Sequence, residues 1–535
     1  MNKDLIIQPL GGVGEIGSNC TLFETPKAKI FVDYGILFPY EEFFNISYLA
    51  VNLENVEDDG KEIHIIITHG HEDHIGAIFL LLTKFPNSKL YAPKFASLLI
   101  RKKLSERGIP ARIELFDTET KIEIDNHTVH PIHVTHSIPD TYGLLFQDNK
   151  LYNSTLFISD FKFDLNPLYE KPFDFEKIKE LFSKTKNNIS LLDSTNILNP
   201  GRTLSESELV DDLKGIMTTD KRIFITLFSS NIYRIRTINN IAKDLGKKIV
   251  LVGRSIKHYI SCAEECNLID TDNIIEDEKS IKNYNNNYIY ILTGCQGDHF
   301  GALRRVADNE FKGINIDAND LFIFSSKPIP GNEKKINRIY NKITEKGAEI
   351  ITSRDFNVHA SGHPSQKDLE DLYSKINPKL VIPIHGESYF LRKHKEFCER
   401  LGIDSQTFGN FSQLVVHEDT LKFFDNDVDD PVIYHSKDLE LDRPAISKRR
   451  KIAINGACFI SLSKKDRDLE ITTLGLPAWF SNKEIQIYKL TKGQLSKKLM
   501  TKDDEDIAEE IRVFVRNLIN NFLGYKPICV VQVLK

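Results

Sequence analysis

The sequence is poor in cysteine and tryptophan and has no long apolar run. Its 535 residues include seven cysteines and one tryptophan. The cysteines are scattered and odd in number, which excludes a disulfide scaffold and favours reduced, mostly buried thiols. The longest apolar runs, such as 78–82, fall far short of the roughly 20 residues that a membrane-spanning helix needs. Because the N-terminus also lacks the apolar core of a signal peptide, we expect a cytoplasmic protein with no membrane partner.

An excess of charge of either sign is also missing. The sequence has 70 Lys and Arg residues and 76 Asp and Glu residues, which gives a formal charge of −6. Bulk charge therefore gives no indication of a nucleic-acid partner, and only local patches would hold one. With 41% hydrophobic and 27% charged residues, the composition is that of a globular protein. The length predicts two to four domains, because one hydrophobic core rarely serves so long a chain.

The pattern of apolar residues changes along the chain. Short β-branched segments separated by turns reach to about residue 156, which predicts a strand-rich half-domain. Between about 205 and 350 helix alternates with apolar strand, as expected for an α/β unit with a mostly parallel sheet. Helices are predicted over 94–107, 205–218, 231–245 and 366–376. An acidic stretch at 424–431 and a basic run at 447–451 indicate a linker, followed by a small α+β tail.

A glycine motif near the N-terminus has an apparent cofactor signature. Residues Gly12 to Gly17 match GxGxxG after an apolar strand, as in dinucleotide-binding proteins. That fingerprint requires a helix to open at the last glycine, whereas this sequence continues with β-branched residues as far as Pro26. We therefore interpret the motif as strand, turn and strand. Asp33 is expected to be a strand-end acid that lies near the active site without binding a metal.

Three histidines and an aspartate are packed into six residues where an apolar strand ends and a helix begins. They are His69, His71, Asp73 and His74. In an extended segment His69 and His71 point to the same side, and Asp73 and His74 start the helix. Imidazole and carboxylate ligands suit Zn or Mn, and the absence of cysteine argues against a closed structural zinc site. The cluster therefore predicts an open, catalytic metal site.

Further ligands are expected at the ends of other apolar strands. His136 in VTHSIPD is the best third histidine for one ion, and His385 in VIPIHGE is the best fourth histidine for another. Asp160 in TLFISDFKFD is the best bridging acid. Each of these residues taken alone could be an ordinary polar residue at a strand end, but together they form a two-metal donor set.

These motifs in this order resemble those of the metallo-β-lactamase superfamily, whose fold is an αββα sandwich. The resemblance implies His69, His71 and His136 for a first ion, Asp73, His74 and His385 for a second, and Asp160 between them. It also implies two divalent ions per subunit, Zn with Mn or Mg as alternatives, and it counts Asp73 among the catalytic residues. Two such ions about 3.5–4 Å apart turn a shared water into a nucleophile near neutral pH.

The gap between two of these residues points to a substrate class. Asp160 and His385 stand 225 positions apart (385 − 160), far more than a sandwich layer needs, so a whole domain is inserted there. Its position resembles that of the β-CASP nucleases. Eleven blocks are similar, in order, to the bacterial ribonuclease J family: PLGGVGEIGSN, THGHEDHIGA, HSIPD, DFKFD, LLDSTN, FSSNIYR, VGRS, TGCQG, FSSKPIPGNE, HASGHPSQ and PIHGE.

The resemblance covers nearly the whole chain and implies its architecture. We expect an α/β protein with a metallo-β-lactamase αββα sandwich, an inserted β-CASP α/β domain and a small α+β C-terminal domain. The predicted boundaries are 1–205 and 351–425 for the two parts of the sandwich, 206–350 for the insertion, 426–450 for a linker and 451–535 for the C-terminal domain. Two departures stand out, because Ile158 and Ser159 precede Asp160 where the family has TG, and Asp298 and His299 follow TGCQG.

Other functional residues are carried over one at a time. Asp193 in DSTN matches the acid of the first β-CASP motif, and His363 in HASGH matches the histidine thought to protonate the leaving oxygen. An acid that keeps such a histidine cationic makes it a better proton donor. The pocket for the terminal 5′-phosphate and the scissile nucleotide is matched by Ser229, Ser230, Asn231, His359, Ala360, Ser361, Gly362 and His363. For the serine cluster a plain helix cap is the alternative.

The resemblance implies a two-metal ribonuclease that acts 5′ to 3′ on single-stranded RNA bearing a 5′-monophosphate and also cuts internally. It further implies rRNA processing and mRNA decay, a homodimer or homotetramer, and RNA-decay partners such as a helicase. Two alternatives are a DNA-directed β-CASP repair nuclease and a weakly active RNA-binding subunit of a decay complex. A small-molecule hydrolase such as a lactamase is a third, against which the long insertion argues.

Overall fold

The computed structural model describes residues 5–39, 46–54, 56–110, 112–278, 281, 284–298, 300–329, 331–418, 420–426, 430–436 and 438–534. His299, one of the departures noted in the sequence, lies outside these ranges. The chain divides into a first unit, residues 1–40 and 49–431, and a second unit, residues 41–48 and 432–535. Within the described ranges, no helix combines the length and the apolar character that crossing a membrane requires.

The first unit starts with a strand-rich part, as the sequence predicts. Its strands are β1 (Leu5–Gly11), β2 (Val13–Gly14), β3 (Cys20–Glu24), β4 (Ala28–Val32), β6 (Glu62–Ile66), β7 (Lys89–Ala92), β8 (Ile113–Leu115), β9 (Ile122–Ile124), β10 (His127–His133), β11 (Tyr142–Asp148), β12 (Asn153–Ile158) and β13 (Asn187–Asp193). Strand β5 (Ile46–Ala50) begins in the second unit and ends in the first. Its helices are α1 (Glu72–Ile75), α2 (Ile78–Lys84), α3 (Lys94–Ser105) and α4 (Phe175–Ser183).

The remainder of the first unit alternates helix and strand. Its strands are β14 (Arg222–Thr226), β15 (Lys248–Val252), β16 (Ile274–Ile275), β17 (Tyr288–Leu292), β18 (Asp320–Phe324), β19 (Glu349–Ile351), β20 (Leu380–Ile384), β21 (Gly386–Glu387), β22 (Asp404–Ser405), β23 (Gln413–His417) and β24 (Thr420–Phe424). Its helices are α5 (Val210–Met217), α6 (Ile232–Asp244), α7 (Arg254–Glu265), α8 (Ala302–Ala307), α9 (Glu333–Thr344), α10 (Gln366–Ile376) and α11 (Ser388–Arg400).

Two sheets of the first unit face each other across a hydrophobic core. Their strand orders are β24-β23-β1-β3-β4-β6-β7-β8 and β22-β20-β13-β12-β11-β10-β9. Phe23 of the first sheet stacks on Phe146 of the second, with ring centroids 4.1 Å apart. β12 is buried on both faces, because Phe157 points into this core while Leu156 and Ile158 pack in the cluster that contains residues of α4, α10 and α11. The predicted αββα sandwich is confirmed.

The inserted lobe, defined here as β14 to β19 with helices α6 to α9, forms a separate parallel sheet. Its strand order is β16-β15-β17-β14-β18-β19, and every neighbouring pair is parallel. Phe224 at the centre stacks on Phe322 and Tyr290. The α/β insertion is therefore confirmed, and its helices and strands alternate as the apolar pattern predicts.

Strand direction explains where the polar residues meet. β12, β13 and β20 run parallel, and β10 has the same direction because both β10 and β12 are antiparallel to β11. The segments that follow these strands therefore lie at one edge of the sheet, and they carry His136, Asp160 and His385, while Asp193 ends β13. The glycine motif lies in the turn around β2, which pairs with β21, and β3 follows it instead of a helix, as predicted.

The second unit has its own sheets and core. Its elements are β25 (Val432–His435), β26 (Leu439–Leu441), α12 (Arg443–Asn455), β27 (Ala457–Ser463), β28 (Asp468–Leu474), α13 (Ser481–Lys492), α14 (Lys497–Met500), α15 (Asp504–Leu523) and β29 (Ile528–Leu534). Every fourth residue of α15 from Ile507 to Ile519 is buried against the sheet β28-β27-β29. The segment predicted as a linker carries β25, β26 and the start of α12, and its basic run at 447–451 is helical.

Candidate active site

Four side chains from three strand ends form a first donor group: His69, His71, His136 and Asp160. His71 Nδ1 lies 3.1 Å from His69 Nε2 and 3.2 Å from His136 Nε2. Asp160 Oδ2 lies 3.6 Å from His136 Nε2 and 4.0 Å from His69 Nε2. All four ligand atoms are within 4.8 Å of one another, so one cation would be within reach of all of them.

A second donor group consists of Asp73, His74 and His385. Asp73 Oδ2 lies 3.6 Å from His74 Nε2 and 3.8 Å from His385 Nε2. The other oxygen of Asp160, Oδ1, approaches the same two histidine nitrogens at 3.0 and 3.2 Å. Because the two oxygens of Asp160 face different donor groups, this carboxylate has the arrangement of a bridge.

The buried polar atoms of the two groups fit divalent cations. Asp160 Oδ1 and His385 Nε2 are buried, and neither atom has a hydrogen-bond partner among the described residues. Their separation of 3.2 Å is nevertheless short, as expected when two ligands converge on one ion. Leaving buried polar groups unsatisfied is costly, and imidazole with carboxylate is a donor set that Zn and Mn accept. The residues that are present therefore fit two divalent ions.

The electrostatics of the two groups differ. Burial lowers the pKa of His69 well below its usual range, that of His71 to about 4 and that of His136 to about 3, so these imidazoles are neutral with a lone pair to give. Burial also disfavours the charge on His74 and His385, but the surrounding carboxylates, Asp160 first, raise both pKa values, that of His385 to about 10. The second group thus carries the negative charge that cations would offset.

The outer faces of these histidines are held by hydrogen-bond partners. Asp33 Oδ2 lies 2.7 Å from His74 Nδ1 and also accepts the Thr68 hydroxyl proton at 2.7 Å. The Thr68 hydroxyl in turn lies 2.9 Å from His69 Nδ1. Asp33, which has a positive φ of 62°, is therefore a partner of a ligand and has no place in either donor group, as the sequence predicts. Thr68 was not predicted as a partner, although it opens the block THGHEDHIGA.

Two further partners, Thr195 and Asn19, were not predicted, and a third, Gly362, was predicted only as a pocket residue. Thr195 Oγ1 lies 2.8 Å from His385 Nδ1, and the Gly362 carbonyl oxygen lies 2.7 Å from His136 Nδ1. Asn19 Nδ2 donates to the backbone oxygen of Asp73 at 3.1 Å. Such partners fix ring orientation and tautomer. All three residues stand inside blocks that carry the resemblance noted in the sequence, PLGGVGEIGSN, LLDSTN and HASGHPSQ. Membership of these blocks was the signal that could have indicated them.

The buried Asp193 and the partly exposed His363 form a pair beside the donor groups. Asp193 Oδ2 lies 2.6 Å from His363 Nδ1, and the His363 ring centroid is 5.2 Å from that of His136 and 5.6 Å from that of His385. Burial disfavours the charged form of both side chains. The charge of each partner and the hydrogen bond between them outweigh this effect, so the pKa of Asp193 is lowered and that of His363 is raised. The carboxylate of Asp193 therefore favours the protonated form of the His363 ring.

The predicted pocket residues lie in two segments. In the first, Ser230 Oγ is 3.0 Å from His71 Nε2, Ser229 Oγ is 3.1 Å from Ser255 Oγ, and Asn231 caps α6 by accepting from Arg234 N at 3.0 Å. The cap is thus Asn231 and neither serine, which removes the helix-cap alternative for the serine side chains. The structure brings Ser230 to the donor groups, whereas the described contact of Ser229 is with Ser255.

The second pocket segment runs from His359 to His363. Ser361 Oγ accepts from the backbone N–H of His363 at 3.1 Å, and Ala360 is buried. A Cβ at Gly362 would lie 2.7 Å from the His136 ring, so only glycine allows the chain to pass this close to a donor. Burial and the charge on Arg234 lower the pKa of His359 to about 3. The His359 Nδ1 atom has no partner among the described residues.

Comparison with known proteins gives matches along most of the chain. Family models match at 13–149 (metallo-beta-lactamase superfamily), 220–343 (ribonuclease J, beta-CASP domain) and 347–407 (Zn-dependent metallo-hydrolase RNA specificity domain). A relative from Sinorhizobium meliloti, named Ribonuclease J, is 30% identical over 559 residues, which cover 100% of this chain and 98% of that protein.

Other matches agree with these. The Ribonuclease J of Mycoplasma genitalium is 30% identical over 89% of this chain and 84% of its own length. That of Synechocystis is 32% identical over 75% of this chain, and the match spans 63% of the relative. A crystal structure of a protein of unknown function from Enterococcus faecalis V583 covers 77% of this chain and 100% of its own, with a TM-score of 0.55 and 14% identity, and so shares the fold.

Proposed function

The chain belongs to the ribonuclease J family, and from this premise we propose that it is a metal-dependent ribonuclease that degrades single-stranded RNA from a 5′-monophosphate end and also cuts internally. The observation that carries the proposal is the pair of donor groups joined by Asp160 beside the Asp193–His363 pair. Metal binding agrees with the metallo-β-lactamase match, and RNA as substrate agrees with the RNA specificity match and with the names of the relatives.

The metal ligands are proposed as the sequence predicts them. His69, His71 and His136 would hold one ion, Asp73, His74 and His385 the other, and Asp160 both. Two divalent ions in such a site lower the pKa of bound water and stabilise the charge that develops on a reacting phosphate. Zinc is the proposed metal because every donor is an imidazole or a carboxylate, and Mn or Mg are the alternatives.

His363 is proposed as the proton donor to the leaving oxygen. Its Nδ1 is engaged by Asp193, which leaves Nε2 as the nitrogen that can release a proton. The carboxylate of Asp193 keeps the ring charged and fixes its orientation, as a general acid requires. The close approach of Gly362 to His136 supports this role, because it holds His363 beside the donor groups. Asp73 is proposed to act in catalysis through its metal.

The 5′-phosphate is proposed to bind between the two pocket segments. The N-terminus of α6, a helix of 13 residues, offers backbone N–H groups and a positive dipole end next to Ser229 and Ser230. His359, Ala360, Ser361, Gly362 and His363 would form the other wall. A pocket for one phosphate disfavours a 5′-triphosphate, because the additional phosphates need room and counter-charge.

The remaining predictions are carried forward as part of the proposal. They are the bounds of the five predicted segments, a homodimer or homotetramer, a cytoplasmic location, partners in RNA decay such as a helicase, and a role in rRNA processing and mRNA decay. The full-length match to the Sinorhizobium meliloti protein supports the family role.

A product-length assay tests the proposed activity. Purified protein with Zn, Mn or Mg is incubated with matched RNAs that are labelled at the 5′ or 3′ end and carry a 5′-monophosphate or a 5′-triphosphate. We expect early release of labelled mononucleotide from the 5′-monophosphate RNA, with slower internal fragments from both RNAs. A 2′-deoxy substrate that is cut as fast would favour a DNA repair nuclease. Absence of cleavage with every metal would favour the RNA-binding subunit.

A further inference from the structure

The five histidines of the donor groups each have a hydrogen-bond partner behind the metal-facing nitrogen. The pairs are His69 with Thr68, His74 with Asp33, His136 with the Gly362 carbonyl, His385 with Thr195, and His71 with Ser230. Three of these partners, Thr68, Asp33 and Thr195, follow strands of the two sandwich sheets, whereas Gly362 lies between β19 and α10. Ser230 alone comes from the inserted lobe, immediately before α6. We propose that Ser230 is a positioning residue of the metal centre, through which the inserted lobe completes it.

The direction of the hydrogen bond follows from the two nitrogens of His71. Nδ1 faces His69 and His136 in the first donor group, so it must be unprotonated to bind a cation. The single proton of the neutral ring then lies on Nε2, which donates to Ser230 Oγ, 3.0 Å away. The serine hydroxyl acts as an acceptor in this bond and retains its own proton. One side chain can thus hold His71 and still donate to a substrate anion.

Ser230 is held firmly enough to orient a ring. It is buried, with 8% of its surface exposed, and its carbonyl accepts from Ile232 N at 2.9 Å. The next residue, Asn231, caps α6 through the N–H of Arg234. The hydroxyl therefore projects from a turn that the first turn of a helix fixes, and it does not depend on a flexible loop.

Arg234 anchors that helix turn to the rest of the site. It is fully buried, and its guanidinium makes two bonds to the Glu206 carboxylate, at 2.6 and 2.7 Å. It also donates to Ser325 Oγ at 2.6 Å and to the Val358 carbonyl at 3.1 Å. Val358 directly precedes His359, so one side chain joins both pocket segments. A shift of the lobe would therefore break the bond to His71, and a ligand that fixes the pocket would strengthen metal binding.

This inference rests on the proposed metal site but not on RNA cleavage, so metal affinity is the readout. Metal-free protein is titrated with Zn²⁺ or Mn²⁺ in competition with a chromophoric chelator. Loss of an outer partner of a metal-binding histidine typically costs about 10–100-fold in metal affinity. We expect Ser230→Ala to weaken one of the two sites by that factor. Ser230→Thr, which keeps the hydroxyl, should restore the affinity to within a few-fold of wild type.

Ser255→Ala is the matched control, since it removes another hydroxyl of the inserted lobe, whose described contact is with Ser229 and not with a donor. Its metal affinity should equal that of wild type. Thermal unfolding of each metal-free variant checks that the lobe is folded. Wild-type metal affinity in Ser230→Ala, with weaker binding of 5′-phosphorylated RNA, would overturn the inference and leave Ser230 as a phosphate ligand. Equal losses in both variants would overturn it too. Wild-type protein that binds no ion would overturn the metal site itself and this inference with it.

Discussion

The donor groups and the pocket segments are neighbours that are held in different ways. Each donor histidine follows a strand of the sandwich, and its ring is held by a hydrogen-bond partner, such as Asp33 behind His74. The two pocket segments come from different parts of the chain. The buried Arg234, in the helix that follows the first segment, joins them by donating to the Val358 carbonyl, which precedes the second segment. The first arrangement distributes the support over many contacts, whereas the second concentrates it on one guanidinium. Single substitutions should therefore change metal content and RNA cleavage to different extents in the two regions.

The largest effect is expected in the donor groups, at Asp160. Asp160→Asn removes the charge that both groups share, so we expect loss of at least one ion and a decrease in RNA cleavage of about 10³-fold or more, since a catalytic ion contributes several kcal/mol. The measurement combines metal content by mass spectrometry with the cleavage rate. Asp117→Asn, at an exposed turn of the same sandwich, is the control. If Asp160→Asn kept full activity and both ions, Asp160 would not be a required ligand of either ion.

A smaller effect is expected where the two regions meet, at His363. His363→Ala should lower kcat by about 10²–10⁴-fold, the usual contribution of a general acid, and leave both ions in place. Asp193→Asn, which removes the charge that holds the ring, should reproduce part of the loss. The readouts are single-turnover cleavage and metal content. If the variant lost an ion instead, His363 would be a ligand, a role for which Asp160, His363 and His385 are close enough.

The smallest effect is expected in the pocket, at Arg234. Arg234→Lys cannot reproduce the fork to Glu206, so the two segments should separate slightly and the preference for 5′-monophosphate over 5′-hydroxyl RNA should fall by about 10-fold. The measurement is the ratio of kcat/KM for the two RNAs. Arg236→Lys, on the same helix but bonded to the Leu268 carbonyl, serves as control. An unchanged ratio in folded Arg234→Lys protein would show that the guanidinium of Arg234 is not required to hold the two pocket segments together.

The same contrast explains how much could be read from the sequence. All seven donor residues were predicted one by one, because a polar residue that ends an apolar strand is visible in the pattern, and strand ends of parallel strands meet. Helices with clear periodicity were also predicted closely, as α10 at Gln366–Ile376 shows. Helix α5 begins at Val210, later than the predicted 205, because Glu206–Leu209 forms a 3₁₀ turn.

What escaped prediction depends on contacts between distant parts of the chain. The bond from Ser230 to His71 joins residues 159 positions apart, and that from Gly362 to His136 joins residues 226 positions apart. No local pattern encodes such a pair, since both partners are compatible with many environments. Family blocks indicated that these residues matter, but only the fold assigns each of them a partner.

The pairing of β13 with β20 has a consequence for how the molecule is made. The two strands are neighbours in one sheet, where Ile189 faces Leu380 across 191 positions of chain, and the inserted lobe is synthesised between them. On the ribosome, six of the seven donors emerge before the lobe, while His385 emerges only after it. The lobe can fold as a unit while the two sandwich sheets still lack β20, β22, β23 and β24. The donor set is therefore incomplete until residue 385 has been synthesised, and the pairing of β20 with β13 then brings His385 to the same edge of the sheet as Asp160.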